Sequence, residues 1–320
     1  MFSQPNCRRD FHIGIICALP FEYNAMSRVV DEFWDGAQAG KVGRDPNTYS
    51  FGRIGDWNVV FVHLSSTGKV SAAIAAANLR MSFSNLELVL LIGVCGGVPT
   101  TPSGEEISLG DVVISSSIVQ HDIGGPFSDG FVDRHNFLDR VGKPSKNILN
   151  FVTLLGTDRG REMLEDRAAV HLAGLQSHTR TAGREQLGQQ PPQDNNSLDD
   201  TSRLRAHSPL VFVGCIGSGE NKMSAEQRDG LAKAYGIIAF EREAAGAWDE
   251  VPCIIVKGVC DYADGLQNAE WQATAATTAA AFSKALIQRY PRTDRIDTDD
   301  QLFVGGRILH DDARGVAVTR

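Results

Sequence analysis

The sequence predicts an α/β fold, in which one twisted, mixed and largely parallel central sheet is flanked by helices within a single domain. Three observations support this prediction. Short apolar runs typical of buried strands alternate with Ala-rich stretches that have helical spacing. The strand-like runs are apolar nearly throughout, as are strands covered on both faces of a parallel sheet. No internal repeat and no apolar run of about 18 residues, which would span a membrane, interrupts the alternation.

The elements follow one another in a regular order. Each predicted strand is a run rich in Val, Ile and Leu, and each predicted helix has apolar residues three or four apart. The first half contains strands at 11–19, 58–66, 86–98 and 110–119, with helices at 20–33 and 68–83. The second half contains strands at 210–218, 236–240 and 252–261, with helices at 224–235, 241–249 and 268–289.

The composition is that of an ordinary globular protein. Hydrophobic residues make up 42% and charged residues 22% of the 320 residues, and the formal net charge is −8. This acidic balance argues against a surface built for nucleic acid or for an anionic membrane. The first apolar run passes directly into an acidic, helix-like segment instead of a cleavage site, so we expect a cytoplasmic protein.

One domain is expected to cover residues 11–290. Residues 1–10 are then an N-terminal extension and residues 291–320 a charged C-terminal tail. Residues 178–209, rich in Gln, Pro, Asn and Asp, cannot bury enough apolar surface to fold alone, which predicts a flexible insertion.

Metal binding and disulfide bonding are not predicted. The six cysteines form no CxxC pair and have no histidine at metal-ligand spacing. Most of them lie in or beside apolar runs, which is typical of small buried side chains in a reducing compartment. We therefore expect neither a metal nor an organic cofactor.

Polar residues recur where the predicted strands end. Glu22, the turn 65–68, Gly96, the turn 218–220 and the stretch 241–243 each follow a strand, as does Asp261. Ligands of open α/β sheets bind outside the carboxyl ends of the strands. These residues therefore predict one site on a single edge of the sheet.

The motifs in this order resemble the nucleoside phosphorylase/nucleosidase superfamily. They are "IGIICALPFEYNAM", "STGKVSAAIAA", "IGVCGGVP", "LGDVVIS", "FEREAAG" and "KGVCDYAD". They look most like fungal-type members and like methylthioadenosine/adenosylhomocysteine nucleosidases, over about residues 11–290. The resemblance implies a phosphorylase/nucleosidase-like fold, assembly as a homo-oligomer (dimer or trimer), and cleavage of N-glycosidic bonds in a small-molecule, nucleoside-like substrate.

The resemblance also implies a role for each matched residue. Asp261 matches the acid that protonates the departing base, and burial is expected to raise its pKa. Glu22 matches the base that activates water, and Glu243 matches the glutamate that accepts hydrogen bonds from the ribose hydroxyls. The other substrate-binding residues implied by the match are Thr67, Val94, Cys95, Gly96, Lys222, Met223, Glu241 and Arg242. Of these, Glu241 is expected to be structural.

The nucleophile is predicted to be water. A phosphorylase needs positive charge and donors around a bound phosphate, usually from arginines and a glycine-rich turn with a hydroxyl. Here the first strand leads into "ALPFEY", and the glycine turn at 93–97 has Val94 where a hydroxyl would be needed. A carboxylate at Glu22 would repel phosphate. Hydrolysis is therefore favoured over phosphorolysis, which stays the first alternative.

Arg242 departs from the superfamily pattern, in which a methionine packs under the ribose. Replacing an apolar side chain with a guanidinium changes what the site can bind. Three outcomes are open: an ion pair of Arg242 with Glu241 or Glu243, recognition of a phosphate or carboxylate on an atypical substrate, or a repurposed site.

Two further functions remain open from the sequence. One is a tailoring enzyme of secondary metabolism that acts on a non-nucleoside molecule. The other is a ligand-binding module of the type fused to fungal signalling proteins. Glu22, Glu243 and Asp261 together favour an enzyme, because a module that only binds has no need for all three.

Overall fold

The computed structural model describes residues 4–34, 39–122, 141–142, 144–185, 208–266 and 268–292, with backbone only at 141–142 and 176–185. The chain divides into two compact units, Met1–Arg289 and Tyr290–Arg320. Of the second unit, only residues 290–292 are among the described ones.

The first unit contains strands and helices in alternation. The strands are β1 (Ile13–Cys17), β2 (Glu32–Trp34), β3 (Tyr49–Ile54), β4 (Trp57–His63), β5 (Leu88–Gly97), β6 (Val112–Gln120), β7 (Val141–Gly142), β8 (Val211–Ser218), β9 (Ile237–Glu241) and β10 (Cys253–Asp261). The helices are α1 (Pro20–Ser27), α2 (Lys69–Ser82), α3 (Lys146–Leu155), α4 (Asp158–Glu185), α5 (Ala225–Tyr235), α6 (Ala244–Ala247) and α7 (Ala269–Arg289), preceded by a 3₁₀ turn at Arg8–Asp10.

All the described strands belong to one mixed sheet. Its order is β10-β6-β8-β9-β5-β1-β4-β3-β2, and β7 pairs with β6. Parallel pairings join β1 to β4 and β5, β5 to β10, and β8 to β6 and β9. Because β10 pairs with β5 as well as with β6, strands β5, β9, β8, β6 and β10 close into a ring. The predicted α/β class with a mixed sheet and flanking helices is confirmed.

Helix α7 lies close to the sheet because small residues face each other where the two meet. Its alanines at 275, 276, 279 and 280 are fully or almost fully buried. On the strand side Gly258 is required, because a Cβ there would collide with the carbonyl oxygen of Ala275. The close approach fixes the C-terminal half of β10, which ends at Asp261.

Several predicted elements differ from the observed ones. The helix predicted over 20–33 ends at Ser27, and residues 32–34 instead pair with β3 as an edge strand. Strand β3 and helices α3 and α4 were not predicted. The glycine turn predicted at 93–97 is the end of β5, where Gly96 and Gly97 still pair with β9.

The predicted insertion at 178–209 begins inside a helix, because α4 continues to Glu185. Residues 186–207 lie outside the described residues, as do residues 293–320 of the predicted tail. Among the helices that are described, none combines the length and the apolar character needed to cross a membrane.

Candidate active site

One cavity of about 580 Å³ opens where β1, β5, β9 and β10 end. Its volume is in the range of small-molecule sites. Every residue predicted for the site lines this cavity, although they come from separate parts of the chain: Glu22, Thr67, Val94, Cys95, Gly96, Lys222, Met223, Glu241, Arg242, Glu243 and Asp261. The structure thus brings the predicted residues together.

Glu22 is held at the bottom of the cavity by backbone amides. It lies in the first turn of α1, and its Oε2 accepts hydrogen bonds from Ala18 N and Leu19 N at 3.0 and 2.8 Å. Its Oε1 accepts one from Val94 N at 2.9 Å. A Cβ on Gly93 would collide with this carboxylate, so a glycine in β5 is needed for the contact. The carboxylate is therefore fixed in one orientation.

Glu241 and Glu243 face the protein interior, and both are 5% exposed. The carboxylate of Glu241 accepts hydrogen bonds from Glu243 N and Ala244 N, which orders the turn that begins α6. Oε1 of Glu243 accepts a hydrogen bond from Gly68 N, at the start of α2, at 3.1 Å. Glu241 thus has the structural contacts expected for it, while Glu243 connects two separate segments beside the cavity.

Lys257, which the sequence reading missed, neutralises part of this negative charge. It is 1% exposed, and its Nζ lies 3.4 Å from Oε2 of Glu243 and 3.8 Å from Oε2 of Glu241. Burial works against its charged form, but Glu243, Glu22 and Glu241 outweigh burial and raise the pKa of the ammonium. We call Glu22, Glu241, Glu243 and Lys257 the floor of the cavity.

Burial also affects the acids of the floor. It raises the pKa of Glu22 above the usual 4.5, while Lys257 and the amides of Leu19 and Val94 partly lower it again. Burial likewise raises the pKa of Glu241, against the opposing effect of Lys257. A lysine within the apolar run "PCIIVKGVCD" was the signal that could have revealed this cluster, since a buried lysine requires partners.

Asp261 ends β10 on another side of the cavity and is half-buried. Its Oδ1 accepts a hydrogen bond from Ala263 N at 2.9 Å, and Cys260 Sγ lies 3.4 Å from its Oδ2. Gly96 leaves room for this side chain, because a Cβ there would lie 2.6 Å from Oδ1. Asp261 is thus packed against β5, three residues further along that strand than the Glu22 contact at Gly93.

Apolar groups line the space between the acids. Val94, Cys95 and Met223 were predicted, whereas Phe21 and Phe240 were not. The two aromatic rings provide surface on which a flat heterocycle can pack. Burial raises the pKa of the Cys95 and Cys260 thiols, so these cysteines stay protonated and are unsuited to nucleophilic attack.

The opening of the cavity carries exposed polar residues. We call Thr67, Glu220, Lys222 and Arg242 the rim. Glu220 is tied back at the start of α2, where its Oε1 accepts a hydrogen bond from Lys69 N at 3.1 Å. Within the described part of the chain, neither Arg242 nor Lys222 forms an ion pair.

Comparison with known proteins finds similarity to one family model and to several named relatives. A model described as the phosphorylase superfamily matches residues 12–157. A nucleotide-binding leucine-rich repeat (NLR)-like protein of Hyaloscypha variabilis is 32% identical over 296 residues. The match covers 87% of this chain and 29% of that protein, so the chain spans less than a third of this relative.

Two bacterial relatives are named as nucleosidases. The 5′-methylthioadenosine/S-adenosylhomocysteine nucleosidase of Mycobacterium bovis is 22% identical, over 87% of this chain and 96% of the relative. The ATP nucleosidase Cap17 of Escherichia coli is 23% identical, over 72% of this chain and 41% of the relative.

The fold is shared with solved structures as well. The 5′-methylthioadenosine/S-adenosylhomocysteine nucleosidase of Neisseria meningitidis, solved with methylthio-immucillin-A, superposes with a TM-score of 0.55 at 19% identity. The superposition covers 87% of this chain and 98% of that structure. The family model matched over residues 12–157, the full-length sequence relative and the common fold all agree with the predicted resemblance to the nucleoside phosphorylase/nucleosidase superfamily.

Proposed function

We propose that this protein hydrolyses the N-glycosidic bond of a purine nucleoside or a closely related compound. One observation carries the proposal: Glu22, Glu243 and Asp261, far apart in sequence, open onto the same cavity. The two bacterial relatives act, by their names, on methylthioadenosine and adenosylhomocysteine or on ATP, and these molecules all contain adenine joined to ribose. Loss of a base from ribose is the reaction common to them.

The chemistry of this bond calls for an acid and a base in separate positions. As the bond between C1′ and N9 breaks, its electron pair leaves with the base and positive charge develops on the sugar ring. The base must then gain a proton, commonly at N7, while an oxygen of water bonds to C1′ and loses a proton. Glycoside hydrolysis has the same requirement and also uses two carboxyl groups.

Glu22 is the proposed base for water. Three backbone amides hold its carboxylate in place, so the side chain loses little further entropy when water binds. Its raised pKa makes the carboxylate a stronger base than a fully solvated glutamate. Lys257 limits the rise, which keeps Glu22 ionised over more of the pH range.

Glu243 is the proposed partner of the ribose hydroxyls. The amide of Gly68 and the ammonium of Lys257 hold its carboxylate beside the cavity. A fixed negative charge at the sugar favours the cationic transition state more than the neutral ground state. Lys257 acts here through Glu243 and Glu22 and is therefore a positioning residue.

Asp261 is the proposed acid for the departing base. Its Oδ1 accepts a hydrogen bond from Ala263 N, and its Oδ2 accepts only the weaker one from the Cys260 thiol, so Oδ2 is the proposed atom to carry the proton toward N7. Phe21, Phe240 and Met223 line the same cavity and would pack on the flat base, which would hold the base close to Asp261. Water gives one proton to Glu22 and Asp261 gives one to the base, so Glu22 must release a proton to solvent and Asp261 must take one up before the next turnover.

Water is the proposed nucleophile, because the floor is anionic. Three glutamates and one lysine leave an excess of carboxylates where a phosphate dianion would have to approach C1′. The position in β5 that would need a hydroxyl is Val94, whose amide is already bonded to Glu22. These contacts favour hydrolysis over phosphorolysis.

A ligand-binding module is the second candidate, and one observation favours it. The NLR-like relative is more than three times as long as the matched region, so the homologous region there is one part of a larger protein. A protein that only binds its ligand has no need for Glu22, Glu243 and Asp261 together. Turnover by the purified chain would therefore decide between the two.

The test is release of free base from inosine, adenosine, guanosine, methylthioadenosine and AMP, with and without inorganic phosphate. Chromatography measures the base, and a reducing-sugar assay measures the free sugar. Phosphate-independent release of both supports hydrolysis. Release that requires phosphate identifies a phosphorylase. Saturable binding without release supports the binding module, and neither release nor binding points to a non-nucleoside substrate.

A further inference from the structure

We infer that Arg242 forms an anion-binding subsite at the rim and that the substrate is a nucleoside 5′-phosphate in preference to an unphosphorylated nucleoside. The inference rests on the proposed function for the position of the sugar. It concerns the residue at which this chain departs from the superfamily pattern. Its basis is the set of contacts made by the neighbours of Arg242 and by the other charged residues of the rim.

The neighbours of Arg242 are already engaged elsewhere. Glu241 bonds to the amides of residues 243 and 244, and Glu243 bonds to Gly68 N and Lys257. Both carboxylates are buried, whereas Arg242 is exposed and lines the cavity. An ion pair of Arg242 with either glutamate, one of the outcomes left open by the sequence, is therefore absent from the described contacts.

The other charges of the rim do not neutralise Arg242. Glu220 is bound to Lys69 N at the start of α2. Asp122, which also accepts a hydrogen bond from Glu220 N, forms a 2.6 Å ion pair with Lys69 Nζ. Lys222 is a second exposed cation that lines the cavity and has no ion pair among the described residues. The rim thus presents two available cations above an anionic floor.

This distribution of charge fits only one arrangement of an anionic substrate. The glutamates of the floor repel an anion, so a negative group must stay at the rim while a neutral sugar reaches the floor. A nucleoside 5′-phosphate has this division, because its ribose is uncharged and its phosphate lies at one end. A guanidinium is suited to that phosphate, since its planar donors bind two phosphate oxygens at once.

Free phosphate offers the same chemical group from another source. If Arg242 binds inorganic phosphate as a nucleophile, then base release from a nucleoside depends on phosphate. If Arg242 binds the phosphate of the substrate, then added phosphate acts as a competitor of the nucleotide. The two sources therefore give opposite effects of phosphate on the rate.

The test compares kcat/KM for matched pairs, adenosine with AMP, inosine with IMP and guanosine with GMP, and includes ADP and ATP. The wild type is expected to prefer the nucleotide. Arg242→Met is expected to lower kcat/KM for the nucleotide by about 10- to 100-fold, the usual range for a charge-assisted hydrogen bond, and thereby to reduce the preference for the nucleotide over the matched nucleoside. Arg242→Lys, which keeps the charge but not the planar donors, is expected to fall between.

The matched control is Arg80→Met, which removes an arginine whose guanidinium pairs with Glu250 at the surface of α2. Its activity on both members of each pair should equal that of the wild type. A wild type that prefers nucleosides, or an Arg242→Met variant that loses equal activity on both members, overturns the inference.

A second measurement separates this inference from the proposed reaction. If no base is released from any compound, hydrolysis is rejected, and isothermal titration with AMP and adenosine then tests the subsite alone. Tighter binding of AMP that Arg242→Met weakens at least tenfold supports the subsite in a non-catalytic protein. Equal affinities for AMP and adenosine, or an affinity for AMP that Arg242→Met leaves unchanged, overturn it.

Discussion

The floor and the rim of the cavity differ in how their charges are held. On the floor, Glu22, Glu241 and Glu243 each accept hydrogen bonds from backbone amides, and Lys257 lies among them. On the rim, Arg242 and Lys222 are exposed, and no ion pair joins them to another described residue. The floor residues are fixed by their hydrogen bonds, whereas Arg242 and Lys222 are exposed where a ligand would enter the cavity.

The floor and the rim are therefore suited to two different tasks, catalysis and the choice of ligand. Charges that are buried and fixed need no rearrangement as the reaction proceeds, which is what electrostatic catalysis requires. Charges at an exposed opening influence which ligand binds and contribute little to folding. We therefore expect substitutions on the floor to affect turnover and stability, and substitutions on the rim to affect substrate choice.

The largest expected loss of activity follows from replacing Asp261, the proposed acid, which is not part of the floor. Asp261→Asn keeps the size of the side chain and its acceptor for Ala263 N but has no proton to give to the base. We expect kcat to fall by at least about 100-fold, the lower end for general acid catalysis, with a smaller change in KM. Rates close to wild type in a steady-state assay would remove Asp261 from this role.

Loss of the cation from the floor should come next. Lys257→Met leaves Glu243 and Glu241 buried without their counter-ion, and breaking a buried ion pair in this way typically costs about 3–5 kcal/mol. Urea unfolding should show a decrease of that order in the free energy of unfolding.

Two further variants keep the Lys257 prediction testable. Lys257→Arg retains the charge and should be closer to wild type. Adding Glu243→Gln to Lys257→Met removes one unpaired carboxylate and should restore part of the stability. A decrease below about 1 kcal/mol for Lys257→Met, the value typical of an exposed ion pair, would show that the lysine does not hold the floor together.

The smallest expected effect is a shift in the pH dependence of the rate. A base must be ionised, and burial raises the pKa of Glu22, so kcat/KM should fall with decreasing pH at a midpoint above 4.5. Lys257 lowers the pKa of Glu22, and Lys257→Met should therefore move the midpoint to higher pH. A midpoint at or below 4.5, or one that Lys257→Met leaves in place, would contradict Glu22 as the base.

Much of the cavity wall was predictable because polar residues stood at the ends of predicted strands. Glu22, Glu243 and Asp261 were identified in this way together with their motifs, and they line one cavity. Lys257 was missed because it lies inside an apolar run, where only the neighbouring strands and loops show that carboxylates surround it. The tie between Glu220 and Lys69 joins residues 151 apart in sequence and could not be read from local pattern.

The fold was less predictable at its edges. Helix α4 is rich in charged residues, yet Leu164, Ala168 and Leu172, spaced four apart, are buried. That spacing is a helical signal that was present in the sequence. Strand β3 was missed because it lies next to the edge strand β2 and is only partly buried, so its apolar pattern is weak.

Two glycines of β5 set the spacing between the proposed base and the proposed acid. Gly93 and Gly96 are the points at which Glu22 and Asp261 press against this strand. Three residues of extended chain span about 10 Å, which is comparable to the length of a sugar joined to a base. A single added methyl group at either glycine would displace the carboxylate that it meets, so two positions without a side chain limit how this site can change.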